Sequence, residues 1–276
     1  MGHFGRFLDV LLPDGGCALQ LIETYHDESE SDGILCVAGY LFHKEKAIAI
    51  DQKWKEVLDK HNLKFFHMSE CAHGAKQFKD KTKEECIEIE TVLIELIKAY
   101  AIQGYAVSFD LRYAYLLPSA KAQGLEIISP YALCCYFCML GARGWADKNN
   151  YDGEIAYFFE NGHEHQSESE VIMKAVTSED WGKERYRYAG HAFLPKDKAR
   201  LLQCGDILAW QWRKNVKERA SGNMKPRADL FSLLSLPHFT THFNEETILS
   251  LRETVIASNS QVELRWLSSV AQKYGV

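Results

Sequence analysis

The chain has 276 residues, 46% of them hydrophobic, and a formal net charge of −6. This length suffices for one large domain or two small ones with a real core, and the negative balance argues against bulk attraction to nucleic acid. No run approaches the roughly 18 uninterrupted apolar residues that span a membrane. The stretch 7–13, interrupted by Asp9, is too short for the apolar part of a secretory signal. We therefore expect a cytoplasmic protein without a membrane segment.

The start of the chain predicts an arm followed by a hairpin. Residues 1–17 are expected to form a loosely attached arm. Residues 18–25 favour a strand, the polar cluster 26–33 ends in Gly and predicts a turn, and 34–42 is apolar throughout, as in a buried strand. The pattern therefore places the acidic residues of the cluster at the end of the first strand.

Two helices are predicted after the hairpin. Helical periodicity extends over 44–61 and over 82–100, with a short extended piece, 64–70, between them. The second helix begins with Thr82 and Glu85, which have the spacing of a capping box.

The rest of the chain alternates strands and helices. The predicted strands are 105–109, 154–160, 186–193 and 239–243. The predicted helices are 129–146, 167–175, 198–217 and one after Asn244. This alternation indicates an α/β sheet covered by helices. We expect one domain over 18–220, with a helical insertion at about 44–100, and a C-terminal extension, 221–276, packed on the same domain.

Eight cysteines are present, and most lie in apolar stretches typical of reduced, packed thiols. Cys135 and Cys138 have C-x-x-C spacing, but they lie inside a predicted buried helix, and no second Cys or His pair follows at zinc-site spacing. A core role is favoured for this pair over a metal or redox role.

Basic residues are concentrated in one segment, 183–227. It contains twelve Lys and Arg against four Asp and Glu, a balance of +8 that leaves −14 for the remainder. Such a segment can hold a polyanion, or it can be an ordinary solvated helix face. Trp210 and Trp212 lie within it and could stack on bases, although at helical spacing Trp212 is favoured as a core residue.

Asp206 lies within a run of apolar and small residues, 201–210. An ionised carboxylate removed from water must be paired, hydrogen-bonded, protonated or bound to a metal. Asp27 and Glu28 follow the first predicted strand, and Glu160 ends the fourth. Because ligand sites in α/β sheets lie at the carboxyl ends of strands, distant pieces of chain can bring these acids together.

Four pieces of the sequence resemble the family called domain of unknown function 3800, which is placed in the ribonuclease H-like superfamily. They are Tyr25-His-Asp-Glu-Ser29, Phe66-His-Met-Ser-Glu70, the strand ending in Glu160, and Leu202-Gln-Cys-Gly-Asp-Ile-Leu-Ala209. The resemblance covers roughly residues 20–217. Glu30 stands where the family usually has Gly, which could reshape the turn after Asp27. Gly205 replaces the usual Ala, which we expect only to loosen helix packing slightly.

The resemblance implies a ribonuclease H-like mixed sheet flanked by helices and a nuclease dependent on Mg²⁺ or Mn²⁺. Two such ions can activate water and stabilise the leaving oxygen of a phosphodiester, and carboxylates supply the oxygen ligands. The implied metal ligands are Asp27, Glu160 and Asp206. Glu28 or Glu70 would complete the shell, and His67 would orient water, transfer a proton or contact the phosphate. RNA or DNA would be held by the basic segment 183–227.

Each candidate also has an ordinary structural explanation. Asp27 and Glu28 can belong to a polar turn, Glu160 precedes Asn-Gly, and His67 and Glu70 can form a loop hydrogen bond. His163 and His165 have the His-x-His spacing of some metal sites, but an exposed loop is favoured for them over a metal site. His191 is expected to be structural.

Two other functions compete with the nuclease. A catalytically inactive module that binds nucleic acid or a protein partner can use the same fold. A glycosidase can also use paired carboxylates, but the basic segment and the lack of a dense aromatic cleft count against it. Neither a G-x-S-x-G elbow nor a phosphate-binding loop occurs.

Overall fold

The computed structural model describes residues 21–117, 129–178 and 180–257. The predicted arm, 1–17, and the end of the predicted extension, 258–276, lie outside the described residues. The protein is an α/β structure built on one mixed sheet with helices on both faces, as the sequence predicts.

The sheet has six strands in the order β5-β4-β1-β2-β3-β6. They are β1 (Leu21–Ser31), β2 (Ile34–His43), β3 (Gln103–Asp110), β4 (Glu154–Glu160), β5 (Tyr188–Leu194) and β6 (His238–Phe243). Strand β2 is antiparallel to its neighbours β1 and β3, whereas β1 with β4, β4 with β5 and β3 with β6 are parallel. All strands except β2 therefore end at the same edge of the sheet.

The helices connect these strands. They are α1 (Lys44–Lys60), α2 (Met68–His73), α3 (Lys83–Tyr100), α4 (Pro130–Lys148), α5 (Gln166–Ser178), α6 (Asp180–Tyr186), α7 (Leu202–Ala220), α8 (Ala228–Leu233) and α9 (Glu245–Ala257). Short 3₁₀ helices lie at Lys76–Phe78 and Leu111–Leu116. The predicted capping box is confirmed, because the Thr82 hydroxyl accepts from Glu85 N and the Glu85 carboxylate accepts from Thr82 N.

Two cores cover the two faces of the sheet. Side chains of α1, α2, α3, α7 and α8 pack on one face. Side chains of α4, α5, α6 and α9 pack on the other. Strand β2 is buried over all but its last residue, since it contributes to both cores. Within the part of the chain that is described, no helix is long and apolar enough to cross a membrane.

The predicted turn at 26–33 is wrong. Strand β1 continues to Ser31, and only Asp32 and Gly33 turn the chain. Both have positive φ, 58° and 74°, as a two-residue hairpin of the I′ type requires. Glu30 pairs with Leu35 inside the ladder, so the turn forms beyond it rather than being reshaped by it. The acidic cluster therefore lies within a strand.

Three other predicted elements differ from the structure. The strand predicted at 186–193 begins at Tyr188, since Asp180–Tyr186 forms α6. The piece 64–70 is not extended throughout, because Met68–His73 forms α2. The helix predicted at 198–217 begins at Leu202 and ends at Ala220, and a turn fills the space after β5. Cys135 and Cys138 are buried and free in α4, as a core role predicts.

Candidate metal centre

Strand β4 stops beside the middle of β1. The last parallel pair is His26 with Phe159, and Glu160 ends β4 while β1 continues with Asp27 and Glu28. Successive side chains of a strand point to opposite faces of the sheet. Asp27 and Glu28 therefore lie on opposite faces, next to the end of β4. Asp27 is 1% exposed, whereas Glu28 and Glu160 are half-buried and give the position access to solvent.

Helix α7 adds Asp206 from the face of the sheet. A Cβ at Gly205 would lie 2.7 Å from Ala38 O and 2.9 Å from Asp27 N. The backbone of the helix therefore packs directly against the backbones of β1 and β2. This approach brings the next residue, Asp206, to the acids of the sheet. One Asp206 oxygen, Oδ2, accepts a hydrogen bond from Met68 N at the start of α2.

Three of the predicted acids meet around a lysine. Lys196 Nζ lies 2.8 Å from Asp27 Oδ2, 3.2 Å from Glu160 Oε2 and 3.3 Å from Asp206 Oδ1. The contact with Asp206 has hydrogen-bond geometry, and the other two are ion pairs by distance. The Lys196 side chain is only 9% exposed. The partners of Asp206 in this structure are thus Lys196 and the Met68 amide.

In the sequence, Lys196 is one of twelve cations of the basic segment. It lies in the turn after β5, the strand parallel to β4, and so at the same edge of the sheet as Glu160. A signal was available, because residues directly after parallel strands gather at that edge.

The carboxylates that could share one ion are Asp27, Glu28 and Glu160. Each offers an oxygen, and these oxygens lie within 4.8 Å of one another. Two ligands of one Mg²⁺ are at most about 4.2 Å apart, so a shift of a few tenths of an ångström would close the set. Among the described residues, Asp206 does not belong to such a group. The three acids fit a hard cation, with one oxygen of Asp27 already fixed by accepting from Glu28 N at 2.7 Å.

The electrostatics of the cluster favour added positive charge. Burial raises the pKa of Asp27 well above its usual range, Lys196 opposes this shift, and Glu160 and Asp206 reinforce it. Burial, with Asp27 as the next cause, raises the pKa of Glu28 to about 8. Burial by itself would lower the pKa of Lys196, but the surrounding carboxylates raise it well above its usual range. One ammonium therefore does not neutralise the acids that surround it.

Glu70 and His67 are placed differently. Glu70 is buried in α2, and its Oε1 pairs with Lys76 Nζ at 3.0 Å. His67 precedes α2 and has a buried Nδ1 without a hydrogen-bond partner. Their described connection to the acids is the backbone of Met68, which donates to Asp206. The structure therefore gives this pair a supporting position and not a place among the converging oxygens.

The basic segment is largely engaged by acids of the same chain. Arg213 Nε donates to Ser29 Oγ at 3.0 Å, and its guanidinium and Lys217 both pair with Asp32. Arg187 pairs with Asp147, and Arg200 with Asp51. The +8 balance therefore does not form one free cationic face.

Both tryptophans of the segment have structural contacts. Trp210 is 4% exposed, with Lys214 and Arg227 over its ring at 5.2 and 5.4 Å. Trp212 is half-buried and donates to Ser108 Oγ at 3.2 Å. It lines an open groove of about 870 Å³ between α7, β6 and α9. Trp210 is thus a core residue, and Trp212 is partly buried and packs against the same core.

The remaining histidine candidates have other partners. The His163 ring stacks on Tyr131 with centroids 3.8 Å apart, and His165 Nδ1 lies 3.0 Å from Glu168 Oε1. His191 contacts Tyr188 in β5, as a structural role predicts. Neither His163 nor His165 belongs to a metal-binding group among the described residues.

Comparison with known proteins gives no relative: no family model matches the chain, and no curated protein or solved structure shows a significant match.

Proposed function

We propose that this protein is a divalent-metal-dependent nuclease that hydrolyses phosphodiester bonds of RNA or DNA. The observation that carries the proposal is the convergence of Asp27, Glu28 and Glu160 within 4.8 Å at the end of β4. The mixed six-stranded sheet is compatible with a ribonuclease H-like fold, and the family resemblance of the sequence points the same way.

The three acids would hold Mg²⁺ or Mn²⁺, which supplies Lewis-acid activation of water and of the phosphate. Asp27 anchors the site, because it is fully buried and its Oδ1 is fixed by the Glu28 amide. Lys196 places an ammonium beside them, within 3.3 Å of Asp27, Glu160 and Asp206, and offsets part of their negative charge. In the reaction the water oxygen bonds to phosphorus, the ester P–O bond breaks, and the leaving oxygen takes up a proton.

Nucleic acid would be held by the cations that remain exposed. Lys225, Arg219 and Arg227 lie on the surface at and after the end of α7, although other cations of the segment are paired. Such side chains contact phosphates without reading sequence. The proposed location is the cytoplasm, since the seven described cysteines are all buried and free.

The test is cleavage of a substrate panel with variants matched in chemistry. Purified protein is incubated with single-stranded and duplex RNA and DNA and with a hybrid, each with Mg²⁺ or Mn²⁺. Asp27→Asn should abolish cleavage, and its circular dichroism spectrum should match that of wild type. Glu30→Gln removes an exposed carboxylate from the same strand and should leave the rate unchanged. An intact panel under both metals, or an active Asp27→Asn protein, would rule the proposal out.

One observation favours an inactive binding module as the second candidate. Lys196 already pairs with Asp27, Glu160 and Asp206, so these acids have a cationic partner without any metal. Such a module would bind nucleic acid in a salt-sensitive way without turnover. A calorimetric titration with Mn²⁺ separates the two, because only the nuclease requires binding that disappears in Asp27→Asn.

A further inference from the structure

The position of Lys196 is fixed by hydrogen bonds within the protein. Its carbonyl accepts a hydrogen bond from Gln203 Nε2 at 3.2 Å, and Gln203 is completely buried in α7. Gln203 Oε1 in turn accepts from Trp54 Nε1 and from Phe66 N. The backbone of the turn that carries Lys196 is therefore fixed by Gln203. The Lys196 side chain is 9% exposed.

The oxygens around Lys196 are divided between protein partners. Asp206 uses Oδ1 for Lys196 and Oδ2 for the Met68 amide. Asp27 uses Oδ2 for Lys196 and Oδ1 for the Glu28 amide. Both acids thus have a protein partner at each oxygen, and of the two only Asp27 belongs to the group of described residues that could share one ion.

We infer that Lys196 is a tethered cation that holds the place of a second metal ion, so that the site loads a single divalent ion on Asp27, Glu28 and Glu160. This inference rests on the proposed metal-dependent function and specifies how many ions serve it. Two-metal sites keep their ions about 3.5–4 Å apart with shared carboxylates between them. Here Asp27 and Glu160 would be the shared carboxylates, because both are partners of the ammonium and both belong to the group that could hold the ion.

A count of charges agrees with one ion. The four carboxylates of Asp27, Glu28, Glu160 and Asp206 carry −4 when ionised, and Lys196 reduces this to −3. One divalent ion leaves a single negative charge for a buried site, whereas a second ion would reverse the sign. A second ion would also have to take oxygens from a buried ammonium that has these carboxylates as its partners.

The experiment counts bound Mn²⁺ by calorimetry and by electron paramagnetic resonance, without nucleic acid. Wild type should bind one Mn²⁺ per chain. Asp206→Asn should also bind one, because Asp206 serves the lysine and not the ion. Lys196→Met has a neutral side chain of similar length and should bind two, and Lys196→Arg keeps the charge and should bind one. Asp27→Asn should weaken binding by at least roughly tenfold.

The outcomes that overturn the inference differ from those that overturn the function. Two ions in wild type, one of them lost in Asp206→Asn, would refute the tethered cation and leave a metal-dependent nuclease standing. Absence of Mn²⁺ binding in wild type would refute both. If Lys196→Met does not fold, the wild-type and Asp206→Asn counts still decide. One ion in a folded Lys196→Met protein would show that the lysine blocks nothing.

Discussion

Gly205 of α7 contacts the backbone of Asp27 in β1 without room for a side chain. A Cβ at this position would lie 2.9 Å from Asp27 N and 2.7 Å from Ala38 O. The sequence predicts that Gly at this position only loosens helix packing slightly, and that prediction is wrong. The missing methyl instead lets the helix approach the sheet closely enough for Asp206 to reach the site.

Gly205→Ala is expected to destabilise the protein. In an open helix, Ala in place of Gly gains about 1 kcal/mol of helix propensity. Here the added methyl meets backbone atoms of two strands, and overpacking of this kind costs about 1–3 kcal/mol. We expect a net loss of up to about 2 kcal/mol in the free energy of unfolding by urea denaturation. The displaced helix should also weaken Mn²⁺ binding.

Gly144→Ala in α4 is the matched control. A Cβ at Gly144 would meet no atom within 4 Å, so only helix propensity changes. This variant should be more stable than wild type by up to about 1 kcal/mol. Equal effects of the two substitutions would contradict the close contact of α7 with the sheet.

Gln203→Met is predicted to destabilise the protein and to release the Lys196 turn. Gln203 Oε1 accepts from Trp54 Nε1 at 2.9 Å and from Phe66 N at 2.8 Å, and both donors are buried. Methionine fills a similar volume but leaves them without a partner, at about 1–3 kcal/mol each. We expect a loss of about 3–4 kcal/mol in urea denaturation.

Gln77→Met provides the comparison for Gln203→Met. Gln77 also bonds to the backbone, accepting from Lys64 N at 2.8 Å, but it is only half-buried. Water can replace its bonds, so its loss should cost less than about 1 kcal/mol. Similar costs for both glutamines would contradict a central role for Gln203.

Much of the fold follows from local patterns in the sequence. The alternation of strands and helices, the Thr82 capping box and the buried strand β2 are all set by residues close together in the chain. These features depend on periodicity and end signals that act within one element.

Two features of the site that the sequence did not predict, the strand at 26–31 and the buried Lys196, have a common physical cause. Residues 26–31 are polar and resemble a turn, but pairing with β2 on one side holds them in a strand. The position of Lys196 after β5 indicates the edge of the sheet, but its burial depends on acids from β1, β4 and α7. Both depend on tertiary contacts that no single segment encodes.

Thr82→Ala should destabilise α3 at its first turn. The hydroxyl accepts from Glu85 N at 3.1 Å, and its loss leaves that amide without a capping partner. We expect a decrease of about 1 kcal/mol in the free energy of unfolding. Thr91→Ala, at an exposed position inside the same helix, should instead raise stability by a few tenths of a kcal/mol, roughly the difference in helix propensity. A loss in both variants would contradict the capping role.

Glu90→Gln should change how stability depends on pH. Burial raises the pKa of Glu90 to about 7, Asp229 adds to the shift, and Gln211 Nε2 opposes it by donating to Oε1 at 2.8 Å. The unfolded chain releases this proton near its ordinary pKa of about 4.3. Between these values the folded protein binds more protons than the unfolded chain, so wild-type stability falls as pH rises from about 4.5 to 7. Gln is uncharged and lacks this loss.

Relative to wild type, Glu90→Gln should therefore gain about 2–3 kcal/mol between pH 5 and pH 8 in urea denaturation. Glu88→Gln, an exposed change on the same helix, should stay within about 0.5 kcal/mol over that range. A Glu90→Gln difference that does not vary with pH would show that Glu90 is ionised in the folded protein at no cost.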